Sequence, residues 1–141
     1  MIWKKNINLN EINNSLANTM SEFLDIRIID VGDDFIAATM PVNKKTIQPF
    51  GILHGGASVV LAETIGSVAA NLCLDNNSYS VGLEINANHI KSVNSGIVNA
   101  ITKPVHIGRS TQVWDIKIKQ DERLTCCLLY TSPSPRDFTE S

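Results

Sequence analysis

Three features of this sequence could act together on a carbonyl group: His54-Gly55-Gly56, Glu63 and Ser67. A glycine pair that opens a helix leaves unpaired backbone N–H groups within reach of a ligand, and the helix dipole adds partial positive charge there. Such a terminus can hold an oxyanion or polarise a carbonyl. Glu63 falls in the middle of an apolar stretch, where a carboxylate is costly unless it is paired or put to use. Desolvation there would move it towards the working range of a general base. Ser67 follows four residues later on the same helical face, placed to hydrogen-bond Glu63 or a water.

Spacing constrains how these groups can cooperate. Gly55 and Glu63 are eight residues apart, about 12 Å along a helix axis. A base or nucleophile and an oxyanion donor must both come within roughly 3 Å of one reacting centre. One helix cannot supply both. Two antiparallel helices packed across a two-fold axis can, with Gly55 of one subunit beside Glu63 of the other. A site built from these residues is therefore expected to belong to a dimer. Taken by themselves, the same residues also read as a capped helix start and a structural ion-pair carboxylate. A metal site is not expected, because His54 has no second His or carboxylate at i+4 and zinc needs three protein ligands.

The elements that must position these residues follow from periodicity. Leu9, Ile12, Leu16, Met20 and Phe23 recur at helical spacing, predicting one amphipathic helix over residues 8–23. Ile26 to Val31, the turn Gly32-Asp33-Asp34 and Phe35 to Val42 read as a hairpin. Residues 43–53, with Pro49 and Gly51, read as a shaped loop. From Gly55 to Leu72 the chain is apolar almost all round, and Glu63 is its one charge, so a helix buried on nearly every side is expected. Strands are expected at Val81–Asn88 with apolar odd positions, at Gly96–Val105, at Thr111–Lys119 with Trp114, Ile116 and Ile118 inward, and from Arg123 onward. The order gives an α+β fold, an antiparallel β-sheet wrapped around a central buried α-helix.

Composition bounds the rest. The 141 residues suit one domain, and 43% apolar with 18% charged residues is ordinary globular usage. A formal net charge of -2 without a Lys/Arg cluster argues against nucleic acid as a partner. The start lacks a signal peptide's apolar stretch and no run reaches membrane-spanning length, so no membrane partner and a cytoplasmic location are expected. Cys73, Cys126 and Cys127 form no CxxC pair and read as small buried hydrophobes. Residues 127–137, Cys-Leu-Leu-Tyr-Thr-Ser-Pro-Ser-Pro-Arg-Asp, resemble the translation of a transposase-type sequencing adapter. Residues 1–126 are accordingly read as the native domain with a truncated last strand, and 127–141 as a non-native tail in which Leu128 and Tyr130 partly substitute.

Three segments in order carry a family resemblance: Gln48-Pro-Phe-Gly-Ile-Leu-His54-Gly-Gly-Ala-Ser-Val-Val-Leu-Ala-Glu63-Thr-Ile-Gly-Ser67, Val81-Gly-Leu-Glu-Ile-Asn-Ala-Asn-His89, and Gly108-Arg-Ser-Thr-Gln-Val-Trp114. Over about residues 8–126 the chain resembles the acyl-CoA thioesterases of the hotdog fold, a family whose substrates include 1,4-dihydroxy-2-naphthoyl-CoA of menaquinone biosynthesis. The resemblance implies Glu63 as nucleophile or general base and the Gly55 N–H as the group that polarises the thioester carbonyl. It implies that Gln48 and His54 position that carbonyl and the attacking water, with Ser67 orienting Glu63 or the water. Gly56, His89, Lys91 and Arg109 are implied contacts to substrate or to CoA; Lys91 replaces the Arg of some relatives and keeps the charge without the bidentate grip. An acyl-CoA substrate, self-association as a dimer or dimer of dimers (a homotetramer), and no metal or cofactor are implied as well.

Hydrolysis of an aromatic acyl-CoA to free acid and CoA is the leading expectation. A second reading keeps the chemistry and broadens the substrate to a proofreading role on aryl or medium-chain acyl-CoA or acyl-carrier protein. A hydratase would require an Asp/His pair at short spacing, which the chain lacks, and a non-catalytic acyl-CoA-binding module would have no use for Glu63.

Overall fold

A computed structural model describes residues 1–133 and 136–137. The N-terminal region holds two short helices, α1 (Leu9–Asn14) and α2 (Met20–Phe23), instead of the single helix expected over residues 8–23. Small polar side chains explain the break. Ser15 Oγ donates to the Ile12 carbonyl and Thr19 Oγ1 to that of Leu16, both at 2.6 Å. Such local bonds offer the backbone an alternative to the helical ladder. Asn13 instead ties the segment sideways, donating to the Ile28 carbonyl (2.8 Å) and accepting from the Ile28 N–H (2.9 Å). Met20 and Phe23, expected on the apolar face, are exposed.

The hairpin forms as expected from β1 (Arg27–Val31) and β2 (Ile36–Pro41), followed by α3 (Gly55–Leu72) and a short β3 (Ser78–Tyr79). Then come β4 (Glu84–His89), β5 (Ile97–Ile107), β6 (Thr111–Gln120), β7 (Arg123–Pro133) and β8 (Arg136–Asp137). Six of these strands make one antiparallel sheet in the order β1-β2-β5-β6-β7-β4, and β3 pairs with β8. The sheet wraps around α3, which touches β2, β4, β5, β6 and β7. This is the expected hotdog arrangement.

Burial on the sheet follows the period of two. Trp114, Ile116 and Ile118 of β6 are fully buried beside Val98 and Ala100 of β5. Trp3 stacks on Trp114 with ring centroids 6.1 Å apart and pins the N-terminal segment through its indole N–H to the Gly32 carbonyl (2.7 Å). The edge strand departs from expectation: β4 begins at Glu84, and Val81 and Leu83 are exposed. Only Ile85 and Ala87 reach the core, and those by half.

The last strand continues past Cys126: β7 runs unbroken from Arg123 to Pro133 between β4 and β6. Cys126, Leu128, Tyr130 and Ser132 alternate inward, so residues 127–133 satisfy the pleat whatever their origin. The end of the 127–141 stretch, residues 134–135 and 138–141, lies outside the described residues. One further expectation is corrected: within the single chain α3 is not buried on nearly every side. Leu61, Ala62, Ile65, Gly66, Ala69 and Ala70 pack on the sheet, while Val59, Val60, Thr64, Ser67 and Val68 are half-buried and Glu63 is exposed. At Gly66 helix and sheet meet so closely that an added Cβ would stand 2.9 Å from the Tyr130 ring.

Candidate active site

The start of α3 is fixed by His54. Its backbone is extended (φ -69, ψ 130), and Nδ1 accepts the Gly56 N–H at 2.7 Å. An imidazole that accepts at Nδ1 carries its proton on Nε2, leaving that nitrogen as a donor. The Ala57 and Ser58 N–H groups bond the His54 carbonyl. Among the described residues the Gly55 N–H has no acceptor and is the open donor of this helix end. The Gly56 N–H, by contrast, is taken by the His54 side chain. The capped helix start read from the sequence is present, with His54 itself as the cap in place of the preferred Ser, Thr, Asp or Asn.

The preceding loop is held from inside. Buried Thr46 accepts the Asn43 N–H and donates to the Pro41 carbonyl (3.1 Å), and its own carbonyl accepts the His54 N–H (2.8 Å). Gln48 closes the loop through backbone bonds to Ile52 and Gly51. Its side-chain Oε1 accepts the Phe50 N–H, which leaves the amide NH2 as a free donor.

Across from the loop stands the end of β4. A cleft of about 250 Å³ gathers Gln48, Gly55, Ser58, His89 and Lys91. The His89 ring lies against Gly55, so that a Cβ at Gly55 would stand 2.8 Å from His89 Nε2. On its other side His89 Nδ1 is 3.5 Å from the Cys126 Sγ. Burial pushes the Cys126 thiol up to about 11, with the neighbouring Cys127 adding to it. Cys126 was not among the residues singled out from sequence; only its place opposite His89 in the β4–β7 register reveals it.

Glu63 is not in this cleft. It is exposed on α3, two turns beyond Gly55, and within the single chain it has neither a hydrogen bond nor an ion pair among the described residues. The expectation that one chain buries it is corrected, because the helix face that carries it is the face turned away from the sheet. Ser67 does not bond Glu63 either. It turns to Asn71 (3.5 Å) and lies near the Tyr130 hydroxyl. That proximity offsets part of the effect of burial, which raises the Tyr130 pKa, but among the described residues the hydroxyl has no partner at hydrogen-bonding geometry. Ser67, Thr64, Val68 and Asn71 instead line a larger cleft of about 760 Å³ against Ile12 and Leu16. Arg109 stands exposed in the turn between β5 and β6 and does not line the cleft of Gly55 and Lys91.

One chain thus offers donors without a base at its helix start, and a lone carboxylate on an uncovered apolar helix face. Residues 50–127 match the family model of the thioesterase superfamily. The chain is 53% identical over 127 residues to the 1,4-dihydroxy-2-naphthoyl-CoA hydrolase of Escherichia coli, covering 90% of this chain and 93% of that one. It is 45% identical over 127 residues to a proofreading thioesterase of Cronobacter sakazakii, covering 90% and 93%. It superposes on the crystal structure of a thioesterase from Haemophilus influenzae with a TM-score of 0.96 at 47% identity, covering 99% of this chain and 98% of that one. The chain belongs to the thioesterase superfamily. It is a thioester hydrolase of the hotdog fold.

Proposed function

We propose that this chain, a cytoplasmic dimer or dimer of dimers, hydrolyses an aromatic acyl-CoA to the free acid and CoA, with 1,4-dihydroxy-2-naphthoyl-CoA as first candidate. The observation that carries the reading is the split between an unpaired Gly55 N–H and an unpartnered Glu63 about 12 Å away on the same helix. In a two-fold pair of antiparallel helices, Gly55 of one subunit would face Glu63 of the other, and the half-buried Val59 and Val60 beside Glu63 would be covered. The thioester carbonyl oxygen would accept from the Gly55 N–H and the Gln48 amide, both of which hold their protons ready before substrate arrives. Glu63 would attack the carbonyl carbon directly or take a proton from a water that does. The C–S bond then breaks and CoA leaves as the thiolate; after direct attack, a water hydrolyses the resulting mixed anhydride, releasing the acid and restoring the Glu63 carboxylate. Lys91 would meet a CoA phosphate as a point charge, and the apolar wall of Leu16 and Val68 in the larger cleft would hold the aryl group.

Glu63→Ala and Glu63→Gln are expected to lose turnover by on the order of 10³-fold while retaining substrate binding. Full activity in either would overturn the role. A single turnover of wild-type protein in 18O-labelled water tests direct attack: label in the Glu63 carboxylate requires an anhydride opened at the Glu63 carbonyl, which base catalysis cannot give.

A proofreading role is the second reading, favoured by the 45% identity to the Cronobacter sakazakii protein. Comparing kcat/KM for naphthoyl, benzoyl and medium-chain thioesters decides between them: a sharp optimum supports the dedicated enzyme, and a flat profile supports proofreading.

A further inference from the structure

His89 was implied by resemblance as a contact to CoA, but its surroundings give it a more specific task. A Cβ built on Gly55 would stand 2.8 Å from His89 Nε2, which puts that nitrogen within roughly 5 Å of the Gly55 nitrogen. Two N–H donors at that separation can converge on one oxygen, since each needs only about 3 Å to it. Whether Nε2 can donate depends on where the ring keeps its proton, and the residue facing the other nitrogen decides that. The Cys126 Sγ lies 3.5 Å from Nδ1 and is almost fully buried. A thiol held protonated is a donor, sulfur is a poor acceptor, and imidazole nitrogen is a good one. The favoured bond is therefore S–H to Nδ1, which leaves the proton on Nε2.

We propose that His89 is a second donor of the carbonyl-binding site beside the Gly55 N–H, and that Cys126 is the positioning residue that fixes its tautomer. The inference rests on the thioesterase site described above and deepens it. Three donors then surround one position: the Gly55 N–H, the His89 Nε2–H and the Gln48 amide, all lining the same cleft. Gly55 must be glycine partly because a methyl group would push the imidazole aside.

Long-range 1H–15N spectra of the full chain report the tautomer directly. The proposal expects His89 protonated at Nε2, shifting to a mixture in Cys126→Val and returning in Cys126→Ser, which keeps a donor. A proton on Nδ1 in the unsubstituted protein overturns the assignment. For kinetics, His89→Ala should lower kcat by on the order of 10²-fold, and equally on acyl-CoA and on acyl-pantetheine, which lacks the nucleotide. A loss confined to KM for acyl-CoA would mean that His89 grips the nucleotide and would overturn the donor role. His89→Gln, which keeps an N–H near the same place, should recover part of kcat. Cys126→Val should cost about threefold in kcat with Cys126→Ser restoring it; no difference between the two refutes the positioning role. Glu63→Ala keeps the levels of argument apart. If it is inactive while His89→Ala is unimpaired, only this inference fails; if it is fully active, the whole site reading fails.

Discussion

Gly55 and Glu63 stand on one unbroken helix, eight residues and about 12 Å apart along its axis, and nothing in the chain brings them closer. A shared site makes a sharp prediction about mixtures. Glu63→Ala and Gly55→Ala should each be nearly inactive alone. Refolded together at equal amounts they should regain about one quarter of the wild-type rate, because half the dimers are mixed and each mixed dimer has one intact site. Activity assays across mixing ratios check this, and recovery that never exceeds the sum of the parents excludes a shared site.

Two buried thiols make the fold sensitive to alkali. Burial raises Cys73 and Cys126 from 9.0 to about 11, and Tyr130 is also raised by burial. The unfolded chain releases these thiol protons near pH 9 while the folded chain holds them, so stability is undiminished below pH 9 and falls as pH rises towards 11. Urea unfolding at pH 8 and pH 10.5 should show the drop. Cys73→Ala should shrink it, and an unchanged drop would point to other groups.

Among the described residues, the hydroxyls of Tyr130 and Ser132 are buried without a hydrogen-bond partner. An unsatisfied buried hydroxyl is destabilising, so Tyr130→Phe and Ser132→Ala should each raise the unfolding free energy by roughly 1 kcal/mol, read from denaturant midpoints. A loss of stability in Tyr130→Phe would mean that the hydroxyl is satisfied after all.

The sequence by itself determined most of the frame. A period of two marked the inward face of β6, a strand–turn–strand signature marked the hairpin, and an unbroken apolar run with one charge marked α3, because core burial dictates residue type. The run from Gln48 to Ser67 carried both the family and its chemistry. What failed was reading a face as buried because it is apolar: Val59, Val60 and Glu63 lie on α3 where the sheet does not reach. The single helix expected over residues 8–23 failed for a related reason. Apolar spacing is blind to Ser15 and Thr19 taking carbonyls from the helix ladder.

Only the tertiary structure decided which donors are free. That His54 consumes the Gly56 N–H, that Gly55 keeps its own, and that Cys126 meets His89 across 37 positions of sequence are facts of register and loop closure. Hydrogen bonds of this kind depend on distances of a few tenths of an ångström between elements far apart in the chain. A one-dimensional pattern of residue types carries no record of them.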